Sequence, residues 1–399
     1  MAGFAPPLRL ALLLLLVLTG CTQRPPAPPP APRLTLAAAQ FADLPGWDRD
    51  RISEALPALA RSCALAQKQP AQTSLTPAAL MGVAGDWAAA CAPLAQVPAG
   101  DDNAARRYLE TWFRPWLAGN GGRPDGLFTG YYEPFLKGAK TRHGPYQTPL
   151  YRRPPDLVTV DLGEFRPNLK GERIAGRVDN GRLRPYADRR GIEAGALAGK
   201  DLEIVWVDDP IAAFFLQIQG SGRIALDDGT ELRVGYEAQN GHPYVPIGRE
   251  LLTRGALTKD DVSMQSIRAW LVAHPDQAAQ MMDLNPSYVF FRAQKGDGPL
   301  GAQGVALTPG RSLAVDHAFL GYGLPVWLDA EGPLDKSLRL QRLVVAQDTG
   351  GAIRGPVRGD MFWGHGPEAE QRAGYMKSAG RYWLLLPRNV TPTDSAPSS

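Results

Sequence analysis

The sequence predicts a mainly β fold with helices, organised around barrels. Three observations predict it. Short runs of β-branched and aromatic residues recur through two long zones, separated by Gly and Pro turns. Stretches with apolar residues at helical spacing stand before the first of these zones and between the two. Beyond the N-terminal leader no second long apolar run exists, and no fixed-period repeat is present.

In chain order, the N-terminus comes first. Arg9 supplies a positive flank and Leu10 to Leu18 an apolar stretch too short for a comfortable bilayer span. Leu18-Thr19-Gly20-Cys21 follows, small residues before a cysteine, and resembles a bacterial lipobox in which Cys21 is acylated. An ordinary secretory signal with an incidental cysteine is the alternative. Thr22 stands where an aspartate would favour retention at the inner membrane, so by resemblance to Gram-negative lipoproteins the outer membrane is expected. Pro25 to Pro32 is too proline-rich for helix or ladder and reads as an extended tether. At ~3.1 Å per residue it spans roughly 25 Å. Residues 389–399 read as a frayed tail.

From about Asp48 to Trp116 the pattern is helical. Ile52, Leu56, Leu59 and Cys63 form one stripe, and Tyr108, Leu109, Trp112, Phe113 and Trp116 a second. Cys63 and Cys91 lie here. In an oxidising compartment such a pair suits a disulfide, and two buried thiols is the other reading. The first β zone runs from about Gly126 to Gly248. In it, alternation from Phe214 to Gln219 predicts a half-buried strand, turned by Gly220-Ser221-Gly222 into Arg223–Leu226. Leu232, Val234 and Tyr236 alternate in the next strand. Helices return with a capping-box pattern at Thr258–Asp261, a buried face of Ile267, Trp270 and Leu271, and a further segment from Pro275 to Met282. From Tyr288 the chain is β again, with strands around Val315–His317, Val326–Leu328, Leu343–Val345 and Tyr382–Leu386.

Between tether and tail the length suits two domains. Lys and Arg number 43 against 40 Asp and Glu, and no basic stripe appears, so nucleic acid is not an expected partner. The five histidines show no metal-ligand spacing, and neither metal nor cofactor is expected.

The chemistry concentrates between Ala346 and Gly364. Ala346-Gln347-Asp348-Thr349-Gly350-Gly351-Ala352-Ile353 reads as a strand and a glycine turn, and Asp360-Met361-Phe362-Trp363-Gly364 as a second strand. Paired carboxylates in a tight frame push one pKa upward, which makes an acid that can donate. Asp360 precedes an apolar run, where desolvation raises its pKa, and an anionic Asp348 nearby raises it further. Asp348 is alternatively a turn residue accepting from the N–H groups of Gly350 or Gly351. Asp348-Thr349-Gly350 also matches the aspartic-peptidase tripeptide, but those enzymes need two copies and this chain has one.

Five segments then resemble one family. They are Phe128-Thr129-Gly130-Tyr131-Tyr132-Glu133-Pro134, Gln217-Ile218-Gln219-Gly220-Ser221-Gly222, Tyr236-Glu237-Ala238-Gln239-Asn240-Gly241, Asn285-Pro286-Ser287-Tyr288-Val289-Phe290-Phe291 and Gln347-Asp348-Thr349-Gly350-Gly351-Ala352-Ile353. In this order they resemble the membrane-bound lytic murein transglycosylase A family, and the last, with Asp316 and Asp360, resembles the three-aspartate domain. The resemblance covers about residues 40 to 388. It implies a double-psi β-barrel with N-terminal helices (45–125 plus 286–388), an inserted smaller β-barrel domain (126–285), and a glycan groove between them. It also implies a carbon–oxygen lyase that cleaves the β-1,4 bond between N-acetylmuramic acid and N-acetylglucosamine, leaving 1,6-anhydro ends, in cell-wall turnover and recycling.

Matched position by position, Asp360 is the implied catalytic acid, with Asp348 and Asp316 as companions. Asp316 is expected to hydrogen-bond inside the barrel. The Gly355-Pro356-Val357-Arg358-Gly359 loop differs by a residue from the familiar family spacing, which leaves the reach of Asp360 open. Thr129, Tyr131, Tyr132, Gln147, Gln217, Gln219, Ser221 and Tyr236 are the candidate glycan contacts, since aromatic faces pack on sugars and amides or hydroxyls fix their orientation. Individually, each aromatic is also a core residue. Glu133 is a structural acceptor or a rival second carboxylate. Implied partners are peptidoglycan strands, the membrane through the lipid on Cys21, and cell-wall synthesis or division complexes. The implied state is a monomer on the periplasmic side of the outer membrane. A peptidoglycan-binding lipoprotein without catalysis and a hydrolytic muramidase are the alternatives.

Overall fold

Two sheets built from non-adjacent parts of the chain, a small third sheet and a set of helices make up the computed structural model. It describes residues 31–75, 80–169, 172–296 and 298–392, with residues 1 and 3. The expected leader (1–20), Cys21, the proline run through residue 30 and the tail from residue 393 lie outside the described residues.

Strand β1 (Leu34–Ala38) pairs antiparallel with β2 (Phe113–Asn120). Between them run α1 (Leu56–Ala66), α2 (Ala84–Cys91) and α3 (Asp102–Trp112). Cys63 of α1 and Cys91 of α2 are joined in a disulfide with a Cα–Cα distance of 5.6 Å. Asp101 caps α3 by accepting from the Ala104 N–H at 2.8 Å. The helical stripe expected through Trp116 stops at Trp112, and Phe113 and Trp116 lie on β2. Pro115 has no N–H to give a helix and drives Arg114 into extended backbone, so the apolar spacing continues while the helix cannot.

After β3 (Gly126–Glu133) the chain builds other sheets. Strands β4 (Phe135–Ala139) and β5 (Thr148–Tyr151) come first. Then β6 (Val158–Asp161), β7 (Arg173–Asp179) and β8 (Arg182–Pro185) form a three-stranded meander, followed by the short α4 (Arg189–Gly191). β9 (Glu203–Val207), α5 (Pro210–Gln219), β10 (Ser221–Leu226) and β11 (Glu231–Gln239) follow, then α6 (Ile247–Thr253), α7 (Met264–Ala273), α8 (Pro275–Met282) and β12 (Val289–Gln294). Six of these strands form one sheet in the order β12-β11-β10-β4-β9-β5, and a bridge between Arg152 and Phe291 links its two edges.

Phe214–Gln219, expected as a strand, is the C-terminal part of α5. Asp209 accepts from the N–H groups of Ile211 (2.8 Å) and Ala212 (3.0 Å), and Pro210 sits in the first turn. Gly220, left-handed at φ 79°, closes the helix by donating to the Leu216 carbonyl. Phe214, Phe215, Leu216 and Gln217 are all buried in succession, which a one-faced strand does not allow. The two phenylalanines pack with Ile247, Leu251 and Leu271.

The C-terminal part supplies β13 (Ser312–Val315), β14 (Pro325–Glu331), β15 (Arg339–Asp348), β16 (Arg358–His365), α9 (Pro367–Tyr375) and β17 (Lys377–Pro387). With β1, β2 and β3 these make an eight-stranded sheet, ordered β1-β2-β17-β14-β15-β13-β16-β3, in which β17 also pairs with β3. That last pairing closes β17, β14, β15, β13, β16 and β3 into a ring. Trp327, Tyr382, Phe128 and Leu343 are fully buried in the main core, and Tyr382 Oη donates to the Pro356 carbonyl.

The pairing places β3 with the C-terminal strands, although everything from Phe135 to β12 belongs to other sheets. Glu133, at the end of β3, ties the two together. Its buried carboxylate accepts from Arg223 Nε of β10 (2.9 Å) and from Arg233 Nη2 of β11 (3.1 Å).

Candidate active site

The ring lines up four residues from four neighbouring strands. Thr129 of β3 is in register with Asp360 of β16, Asp360 with Ala314 of β13, and Ala314 with Asp348 of β15. The stretch read as strand, turn and strand is therefore not a hairpin. β15 and β16 do not pair with each other. They flank β13, one parallel and one antiparallel. At ~4.8 Å between strands, the two aspartate backbones stand roughly 10 Å apart, with Ala314 between them in the register. β16 begins at Arg358, so Asp360 is its third residue.

A register shift in the β13–β15 pairing inserts Gln347 between the partners of Leu313 and Ala314. Such a bulge re-aims the next side chain. Gln347 is fully buried. It accepts from Ser312 Oγ at 2.6 Å, and its amide donates to the Ala58 carbonyl and Ser62 Oγ of α1, both at 2.9 Å. Asp348 is thereby delivered to the Ala314 side of the sheet.

Asp348 is half-buried and held by three donors. Tyr131 Oη donates to Oδ2 at 2.7 Å, and the N–H groups of Ala302 (2.8 Å) and Thr349 (2.9 Å) donate to Oδ1. These are not the Gly350 and Gly351 amides expected from the turn. The Tyr131 ring lies against Phe362, two residues beyond Asp360, with centroids 5.2 Å apart. Gly130 beside it carries no Cβ because one would stand 2.6 Å from Trp363 Nε1 and 2.9 Å from the Ala373 Cα of α9.

Asp360, also half-buried, is held by one donor, Thr129 Oγ1 at 2.6 Å to Oδ1. Among the described residues nothing hydrogen-bonds its Oδ2. Burial pushes the Asp360 pKa above the usual carboxylate value, while the Arg358 guanidinium and the Thr129 hydrogen bond pull the other way. Burial likewise raises Asp348, its three donors oppose that, and the Asp360 charge adds to the rise. Burial is the largest cause of the rise at both carboxyl groups.

Asp316 is buried just past β13. Its carboxylate accepts from the N–H groups of Gly355 (2.7 Å) and Ala318 (3.1 Å), joining the end of β13 to the loop before β16.

The other candidates scatter. Gln219 Oε1 accepts from the Tyr132 N–H at 3.1 Å, next to the site strand. Tyr132, Gln217 and Ser221 are buried, and Gln217 Oε1 accepts from the buried Arg189 Nη2 at 2.8 Å. Gln147 is exposed, and its oxygen accepts from Arg142. Tyr236 is 47% exposed on β11.

Sequence reasoning missed four further residues near the aspartates. His317 and Tyr322 stack with centroids 4.3 Å apart. Tyr322 feels the Asp348 charge and hydrogen-bonds Thr349. Arg173 of β7 acts electrostatically on His317, Tyr322 and Tyr236 alike, so the small meander reaches over from the second part of the chain. The fourth, Arg358, was legible, because residues i and i+2 of a strand share a face. Among the described residues no cluster of three or more His, Cys, Asp or Glu is placed to hold a metal, and no helix is long and apolar enough to cross a membrane.

Residues 127–292 match the family model of the MltA specific insert domain, and residues 311–386 match that of the 3D domain. The membrane-bound lytic murein transglycosylase A of Vibrio cholerae is 30% identical over 289 residues, 70% of each chain. The chain belongs to the membrane-bound lytic murein transglycosylase A family. The Escherichia coli member is 36% identical over 265 residues, and the match spans 65% of that relative's length and 65% of this chain. Among solved structures, the membrane-bound lytic murein transglycosylase from Agrobacterium tumefaciens has a TM-score of 0.79 at 35% identity, covering 89% of this chain and 98% of that one. MltA from Neisseria gonorrhoeae has 0.73 at 32% identity, covering 91% and 93%. Escherichia coli MltA with bound chitohexaose has 0.62 at 27% identity, covering 88% and 91%.

Proposed function

We propose that this chain is a lytic transglycosylase that cleaves the β-1,4 bond between N-acetylmuramic acid and N-acetylglucosamine in peptidoglycan, with Asp360 as the one group that gives and takes the proton. The observation that carries the reading is the contrast between two carboxyl groups. Burial raises both pKa values, but Asp360 keeps an uncommitted oxygen. Asp348 has both oxygens engaged by three donors.

The chemistry needs no second carboxylate. A glycosidase pairs an acid with a nucleophile or base. Here the C6 hydroxyl of the muramyl residue is already attached to its electrophile and attacks at high effective molarity. Protonated Asp360 gives its proton to the departing oxygen as the C1–O bond breaks. The resulting carboxylate takes the proton from O6 as the O6–C1 bond closes the 1,6-anhydro ring, which restores the acid. Asp348 positions the Tyr131 hydroxyl and the turn at Ala302. Asp316 ties the loop before β16 to β13.

For the glycan we propose contacts at Thr129, Tyr131, Tyr132, Gln147, Gln217, Gln219, Ser221 and Tyr236. Exposed Tyr236 and Gln147 meet the strand directly, and buried Tyr132, Gln217 and Ser221 support the wall behind it. The chitohexaose complex of the Escherichia coli relative supports a chitin-like glycan as ligand. The closed six-strand ring supports a double-psi barrel, and the linked edges of the second sheet support an inserted barrel. The division into 45–125 plus 286–388 and 126–285 is kept as a proposal, with β3 counted in the first part because its pairings lie there. The relatives' printed description, membrane-bound, supports association with a membrane. We propose that it runs through acylation of Cys21, with a periplasmic monomer on the outer membrane acting in wall turnover and recycling with synthesis or division complexes.

Digestion of purified peptidoglycan followed by mass spectrometry tests the reaction. Products lighter by one water than hydrolytic muropeptides are expected. Ordinary reducing-end products would instead mean a muramidase. Asp360→Asn should abolish release while the protein still sediments with sacculi, and a fully active variant would remove Asp360 from the role.

A further inference from the structure

Arg358 reaches Asp360 only through a hydroxyl. Its Nη2 donates to Thr129 Oγ1 at 2.8 Å, and Thr129 Oγ1 lies 2.6 Å from Asp360 Oδ1. Its Nη1 donates to the carbonyls of Gly359 and, at 3.3 Å, Leu127. No ion pair joins the guanidinium to Asp360 within 4.0 Å. A guanidinium only donates, so Thr129 must accept from it. The Thr129 hydroxyl hydrogen has Asp360 Oδ1 as its one acceptor among the described residues, so it points there. An Oδ1 that already receives a hydrogen cannot carry one pointing back along the same line.

We propose that Arg358 and Thr129 form a one-way relay that keeps Oδ1 as an acceptor and so confines the acidic proton of Asp360 to Oδ2. Both are positioning residues, and the inference rests on the reading of Asp360 as the acid. The step balances at a single atom. The Oδ2–H bond breaks to protonate the leaving oxygen, and the O6 proton returns to the same Oδ2. Without the relay the carboxyl proton is shared between two oxygens, and Thr129 can accept from Oδ1–H, which turns the proton away from the glycosidic bond. The cross-strand register supplies the geometry, since Thr129 and Asp360 are parallel-strand partners and Arg358 shares the face of Asp360.

The test is the pH dependence of kcat for Thr129→Val, Arg358→Met and their combination, on soluble peptidoglycan strands, with circular dichroism to show folding. Either change removes an influence that lowers the Asp360 pKa. The protonated form then persists to higher pH, and the alkaline limb of the profile moves upward. The relay predicts this move in both single variants, a fall in kcat of roughly tenfold or more, and a double variant no worse than the poorer single one. KM should change little in Arg358→Met, while Thr129→Val, at a proposed glycan contact, is judged on kcat and the limb. Thr129→Ser, which keeps the hydroxyl, should restore the parental limb. If one single variant does not fold, the other decides by its limb. An unmoved limb, or losses that multiply in the double variant, overturns the relay while an inactive Asp360→Asn leaves the acid assignment standing. An active Asp360→Asn overturns both.

Discussion

Asp360 is poised by what surrounds it on its own strand and the next. Burial opposes its charge, and one hydroxyl and one second-neighbour guanidinium moderate that opposition. The same burial sets a stability prediction. A carboxyl whose folded pKa is raised favours the folded state while protonated, and that contribution is lost as pH rises through the folded pKa. Asp360→Asn, which cannot ionise, is therefore expected to raise the thermal midpoint at neutral pH. At pH values below the ordinary aspartate pKa of about 3.9 it should leave the midpoint nearly unchanged. Calorimetry at the two pH values checks this, and an equal change at both would contradict it. Ala314 makes a second prediction. It stands between the two aspartates in the register line. Ala314→Leu should overpack the site by about 1–3 kcal/mol and sharply reduce anhydro-muropeptide release, read by denaturant unfolding and mass spectrometry.

At the level of single elements, α5 shows how end signals override pattern. Apolar and polar residues alternate from Phe214 to Gln219, yet Asp209, Pro210 and Gly220 bound a helix. Loss of the cap by Asp209→Ala should cost about 1 kcal/mol, with the lost contact to Arg268 Nη2 at 2.6 Å adding to it. Asp209→Asn keeps the capping oxygen and should cost less, a difference that urea titration resolves. β15 teaches a related lesson. Its bulge at Gln347 aims Asp348, and nothing in the local sequence marks a bulge there. It exists because Ser312 and α1 offer Gln347 a buried set of partners.

Across the whole molecule, two connections hold distant segments to the site. Glu133 joins β3 to β10 and β11. Glu133→Gln leaves two guanidiniums facing a neutral group and should destabilise by about 3 kcal/mol. A loss of activity without loss of stability would instead restore Glu133 as a rival catalytic carboxylate. The Cys63–Cys91 disulfide fixes α1 against α2, and α1 holds Gln347 through Ala58 and Ser62. Replacing both cysteines by alanine should lower stability by about 3 kcal/mol, measured against the oxidised parent by denaturant unfolding.

By itself the sequence determined the helical N-terminal region, the strands of the second β zone, a minority of those in the first, the paired cysteines as bonding candidates and the aspartates as the chemical centre. Those features depend on spacing, capping residues and composition, which act over a few positions. Only the tertiary structure decided that Thr129 meets Asp360 across 231 residues of sequence, that Ala314 stands between the two aspartates in the register, and that Glu133 is spent on two arginines. Register between distant strands follows from packing of the whole core, and no local propensity encodes which partner a strand will face.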